Sequence, residues 1–152
     1  MKVSTRRGRV QLRLEQAEVA LLESLFTEFT TLLSAEDGSA DPVVQRLFPA
    51  AYADDEQAEA DFRSITHHSL RSERMDRIAL CAGELARSRD LDLTDPDTGE
   101  RWIKALNDLR LALGTRLGVT EEDYAAAPED EPRLIYHWLT AVQDSLVTAL
   151  MR

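Results

Sequence analysis

The chain has 152 residues, 43% of them apolar, and a formal net charge of −10 from 28 acidic and 18 basic side chains. That length favours one domain, 1–152, around a single core, and the apolar share excludes a disordered chain. No apolar run approaches the roughly 18 residues that a membrane helix needs.

The elements follow from periodicity. Val10-Gln11-Leu12-Arg13-Leu14 alternates apolar and polar residues, the period of a half-buried strand, and Gly8 can turn it back on residues 2–5 as a hairpin. Ala17, Val19, Ala20, Leu22, Phe26, Phe29, Leu32 and Leu33 recur at helical spacing, which predicts a helix over about 15–33. Residues 34–41 have loop composition. Asp41-Pro42 starts a short helix as cap and first residue, and Leu47-Phe48-Pro49 ends it. Asp54-Asp55-Glu56 opens a helical region reaching about residue 88, with a break expected near residues 66–69. Leu91-Asp92-Leu93 alternates again and can pair with residues 10–14. Thr94-Asp95-Pro96-Asp97 caps a helix that Gly118 stops near residue 117. A short helix is expected from Thr120, then an acidic connector over 128–132, then a last helix from about 132 to 151. The expected fold is mainly α, a multi-helix bundle with a small N-terminal β-hairpin or short sheet over 1–14.

The charge is partly segregated, and bases exceed acids again from Arg63 to Arg89. The first 13 residues hold Lys2, Arg6, Arg7, Arg9 and Arg13 and no acid. This run reads either as a solvated tail or as an arm for nucleic acid. It has no apolar signal core behind it, and the expected compartment is the cytoplasm. The single cysteine, Cys81, forms no intrachain disulfide. It reads as a small buried filler beside Ile78 and Leu85, or as a redox thiol favoured by Arg77 one turn earlier. The adjacent His67 and His68 point about 100° apart on a helix, and with His137 they supply no zinc spacing. The clusters Asp54-Asp55-Glu56 with Glu59, Glu121-Glu122-Asp123 and Glu129-Asp130-Glu131 lack calcium-loop spacing and read as solvated surface. Gly-rich phosphate loops, nucleophile elbows and paired-histidine motifs are absent. The chain is therefore read as a non-enzyme with no metal and no cofactor.

The helix carrying Trp102-Ile103-Lys104-Ala105-Leu106-Asn107-Asp108-Leu109-Arg110-Leu111-Ala112-Leu113-Gly114 is the most informative segment. Trp102, Ile103, Leu106, Leu109, Leu113 and Leu117 share a face, and Asn107, Arg110 and Gly114 form a stripe along its edge. A glycine inside a helix costs about 1 kcal/mol against alanine, which close approach of another helix would justify. Arg110 needs a partner or a path to water, and Asp108, on a different face, is a poor candidate. The last helix shows Ile135, Trp138, Leu139, Val142, Leu146 and Leu150 on one face, with Tyr136, Gln143 and Val147 along its edge. The two helices are expected to clasp, with Trp102 and Trp138 in one contact region and Asn107 and Arg110 meeting Gln143 or Tyr136. These polar groups either fix helix register or border a partner-binding groove. The breadth of the last helix's apolar face marks it as a central helix or as the contact of a homodimer.

On that run, on Tyr136-His137-Trp138-Leu139-Thr140-Ala141-Val142-Gln143 and on Leu47-Phe48-Pro49 with Tyr52, the chain resembles an actinobacterial family known as a domain of unknown function. Some of its members are described as oxidative-stress transcriptional regulators, the AosR group. The resemblance implies a transcriptional-regulator-like protein that acts through a partner such as a sigma factor or RNA polymerase. Family genes typically lie beside the gene for the ClpS protease adaptor, which implies the alternative of an adaptor or structural module in regulated proteolysis. The regulator reading is tied to two cysteines spaced Cys-x-x-x-Cys. This chain has Cys81 alone, so only an intermolecular disulfide or a sulfenic acid is left to it.

Overall fold

The structure, a computed structural model, describes residues 1–35, 41–52, 54–120 and 127–151. Among them the elements run β1 (Lys2–Arg6), β2 (Arg9–Arg13), α1 (Gln16–Ser34), α2 (Pro42–Leu47), α3 (Glu56–Arg87), β3 (Asp90–Asp92), α4 (Pro96–Leu117) and α5 (Glu131–Leu150). The fold is mainly helical with a small antiparallel sheet, as the periodicity predicts. The loop and short helix expected around 36–40 and 121–126 lie outside the described residues.

Strand order is β1-β2-β3. The β1–β2 loop is Arg7-Gly8, with φ of 52° and 77°. Two left-handed residues in a row give the loop whose twist matches that of its strands. Leu12 lies opposite Val3 and Leu91, and Val10 opposite Thr5. Leu93 N–H reaches the Val10 carbonyl at 2.8 Å, and Leu14 N–H the Arg89 carbonyl at 3.0 Å. Val10, Leu12, Leu91 and Leu93 are buried, which turns one sheet face into the core.

Caps set the helix starts. Glu15 N–H donates to Glu18 Oε2 at 2.8 Å in a reciprocal capping box before α1. Asp41 accepts from Val43 N–H before the Pro42 start of α2. Asp55 accepts from the amides of Gln57 and Ala58 at 3.1 and 3.0 Å. Asp95 and Asp130 do the same for α4 and α5. Gly118, at φ 64°, ends α4 in the left-handed cap.

The break expected near residues 66–69 does not form, and α3 runs unbroken for 32 residues. Thr, His and Ser each cost only tenths of a kcal/mol in a helix, less than packing returns. His67 lies on Phe48 with ring centroids 4.9 Å apart, and Phe62 meets Tyr52 edge-on at 6.0 Å.

Helix α4 is the hub: it packs on α5, α2, α3 and α1. Its pairing with α5 is antiparallel, because Gly99 faces Leu150, Asn107 faces Gln143 and Gly114 faces Tyr136. The clasp is as expected, but the tryptophans do not share a contact region. That register sets Trp102 level with about residue 148, roughly ten residues and ~15 Å of helix rise from Trp138. The wide apolar face of α5 covers the hub and the inner face of the hairpin. No described helix is long and apolar enough to cross a membrane.

Candidate functional site

The polar stripe of α4 closes on α5. Asn107 Oδ1 accepts from Arg110 Nη2 at 3.3 Å and from Gln143 Nε2 at 3.4 Å. About two turns beyond Asn107, Gly114 lets the helices approach: a Cβ there would lie 2.9 Å from Tyr136 Cε2. Gly114 is thus spent on the Tyr136 ring, while Gln143 is the residue that reaches Asn107.

Beside this seam, on a different face of α4, lies a charge centre. Asp108 is 3% exposed. Its Oδ1 takes Arg74 Nη1, and its Oδ2 takes Arg77 Nη1 at 2.7 Å. Arg74 also donates to the Leu47 carbonyl at 3.1 Å and lies 5.2 Å from the Phe48 ring centroid. A carboxylate this deep needs such pairing, because a lone buried charge is prohibitive. The centre ties α3 to α4 and to the end of α2. The available signal was Arg74 and Arg77 three residues apart, two cations on one helical face. Above it opens a cleft of about 540 Å3 lined by Leu70, Arg74, Arg77, Lys104, Asn107 and Gln143 among others.

The indoles anchor elsewhere. Buried Trp102 donates from Nε1 to Glu84 Oε2 at 2.7 Å, and Arg101 takes the other oxygen of that carboxylate. Half-buried Trp138 donates to Glu18 Oε1 at 3.0 Å. Burial pushes the Glu18 carboxyl up, but the terminal ammonium, the Glu15 amide and the Trp138 N–H together hold it below the usual range.

Cys81 is fully buried, and its thiol is pushed up to about 12 by burial, with Glu84 adding to the rise. The alternative reading of a redox thiol rests on Arg77. That arginine is engaged by Asp108 and Glu73 instead, and its pull does not offset burial. Such burial fits the small filler beside Ile78 and Leu85.

The basic N-terminal residues do not form a free tail, because they are in the sheet. Lys2 pairs with Arg13, and Arg6 with Arg9, across the β1–β2 ladder. Arg13 is ion-paired with Asp90. Of the acidic clusters, Asp55 is a helix cap and Glu59 clamps the Ala51 and Tyr52 amides at 2.9 and 2.8 Å. His67 and His68 meet no metal set, and none is found among the described residues.

A second groove, of about 610 Å3, runs between α1 and α4. Leu25, Phe29, Leu32, Leu109 and Leu113 line it, with Glu28 and Arg116 at its rim. Its residues carry no groove signal in the sequence, since Phe29, Leu32, Leu109 and Leu113 fit the core stripes of their helices.

The chain is similar to the oxidative stress regulator AosR of Mycobacterium tuberculosis and of Mycobacterium bovis. Each is 32% identical over 190 aligned positions, covering 99% of this chain and 86% of the relative. A putative oxidative stress regulator AosR of Mycobacterium leprae is 30% identical over 172 positions, covering 88% and 79%. No solved structure matches. The profile of one family, Domain of unknown function (DUF2017), matches residues 1–150, and the chain belongs to that family.

Proposed function

We propose that this chain is a non-enzymatic regulatory protein that docks on a protein of the transcription machinery, a sigma factor or RNA polymerase. The observation that carries this reading is the alignment of nearly the whole chain with relatives named as oxidative stress regulators. The α1–α4 groove supports it as an apolar channel able to take a partner helix, the helix-in-groove mode of recognition. The net charge of −10 steers such a protein toward a basic partner surface. The regulation does not run through an intrachain disulfide, because Cys81 has no second thiol to meet.

The test is crosslinking and mass spectrometry of the tagged chain in its own cells, under reducing and oxidising conditions. Recovery of a sigma factor or polymerase subunit, lost in Thr27→Arg/Thr31→Arg, supports the reading. Both threonines are exposed on the groove wall, so the double variant obstructs the channel and leaves the core intact. Absence of every transcription component in both conditions overturns it. A protease adaptor recovered in their place moves the chain to the regulated-proteolysis alternative.

A further inference from the structure

We propose that the outward face of the β1–β2 hairpin, with its Arg7-Gly8 tip, grips the phosphate backbone of duplex DNA. The ladder register supplies the surface. Directly opposed residues share a sheet face. Val10 and Leu12 point into the core, so Lys2, Ser4, Arg6, Arg9, Gln11 and Arg13 point out. Ser4, Arg6, Arg7, Arg9 and Gln11 line a shallow concavity of about 480 Å3. The inner face is held by α5, so the ribbon is presented on a fixed base.

Three features at this one place work against the hairpin's own stability. Lys2 opposes Arg13, and Arg6 opposes Arg9, and like charges in direct opposition destabilise a ladder. Arg7 is the one non-glycine residue of the described chain at positive φ, a turn position that asparagine or glycine fills with less strain. Arg13 alone of these cations is in an ion pair, with Asp90; Asp92, opposite Gln11 on the same face, is hydrogen-bonded by Thr94 and feels the Arg9 charge. Local rules broken together in this way mark a functional surface, and a bound polyanion relieves the charge opposition.

The composition of the face selects the polyanion. It carries no aromatic side chain, so it lacks the stacking platform of single-strand binders. It carries no apolar anchor of the kind that centres a protein interface. It offers guanidinium forks, which match phosphate oxygens, beside the Ser4 and Gln11 polar groups. A two-stranded ribbon also fits the ~12 Å major groove. The five cations leave a formal −15 on the rest of the chain, which favours approach to DNA through this face.

Fluorescence anisotropy of the full chain against a labelled 25-base-pair duplex tests this. With four cations outside ion pairs, the expected slope of log K against log salt is about −3 to −4. Arg7→Asn weakens binding several-fold and flattens the slope by about one, with no loss of thermal stability, because asparagine relaxes the turn. Asp90→Asn strengthens binding by freeing Arg13. Arg46→Gln, the same charge change on the exposed end of α2, leaves affinity within error. No binding at low salt, equal loss in Arg46→Gln, or unchanged binding in Arg6→Gln/Arg7→Asn/Arg9→Gln each overturns the proposal. So does equal or tighter affinity for single-stranded DNA, or for poly-glutamate of matched charge. None of these outcomes depends on the protein partner proposed above.

Discussion

At the residue scale, Asp108 governs how the helices hold together. Removing one member of a buried ion pair costs about 3–5 kcal/mol, and less where the partners reach water. The side chains of Arg74 and Arg77 are 23% and 14% exposed, so Asp108→Asn is expected to cost about 2–3 kcal/mol. Urea unfolding reads this as a lower midpoint at unchanged m-value. Gly114→Ala tests close approach. Alanine gains up to ~1 kcal/mol of helix propensity, but its Cβ forces the buried Tyr136 ring aside, and overpacking costs about 1–3 kcal/mol. Net destabilisation of about 1 kcal/mol is expected by the same measurement. The Asn107–Gln143 contact was legible because both residues border apolar stripes at helical spacing. Asp108 was not legible as a buried group, since a lone carboxylate off the main stripe reads as surface until the arginines of α3 are set against it. Cys81 has two readings from sequence, and its burial, which spacing to Arg77 cannot show, supports the filler.

At the element scale, the strands and caps were readable because their signals are local. Alternation, Asp-Pro pairs and a terminal glycine each act within one turn or one strand pair. The continuity of α3 was not local. It goes with Phe48 and Tyr52, brought against the first half of the helix from another segment. The placement of the two tryptophans was likewise hidden, because an apolar face fixes which side of a helix is buried but not its register along a neighbour. Gly83 gives α3 a clean test. It sits exposed in the last quarter of the helix, and a Cβ there would meet nothing within 4 Å. Gly83→Ala is expected to stabilise the protein by about 0.5–1 kcal/mol, seen as a raised melting temperature. A fall would mean that this part of α3 is not helical in solution.

At the scale of the whole molecule, the ionisable groups with displaced pKa values other than Cys81 and exposed Arg13 point one way, toward instability in acid. His67 is held below its ordinary 6.5 by burial first and by the Arg71 and Arg63 charges after it. Glu18, Glu59, Asp92, Asp95 and Glu100 are held below their ordinary carboxylate values by hydrogen bonds that act as caps, clamps or ion pairs. For each group the unfolded chain takes up its proton at a higher pH than the folded one. Acidification therefore favours unfolding, and the stability these groups add is present above their unfolded pKa and lost as pH falls through the folded value. The histidine acts first, from about pH 6.5 downward, and the carboxylates follow below about 4.5. Stability measured by urea midpoint should be flat from pH 8 to 7, decline gently toward pH 5 and collapse below 4. His67→Gln should remove the gentle limb and leave the collapse in place. A gentle limb that survives this substitution would assign it to another group. Near the isoelectric point of about 4.7 the net charge that keeps copies apart is also lost, so scattering must be followed alongside, to separate association from unfolding.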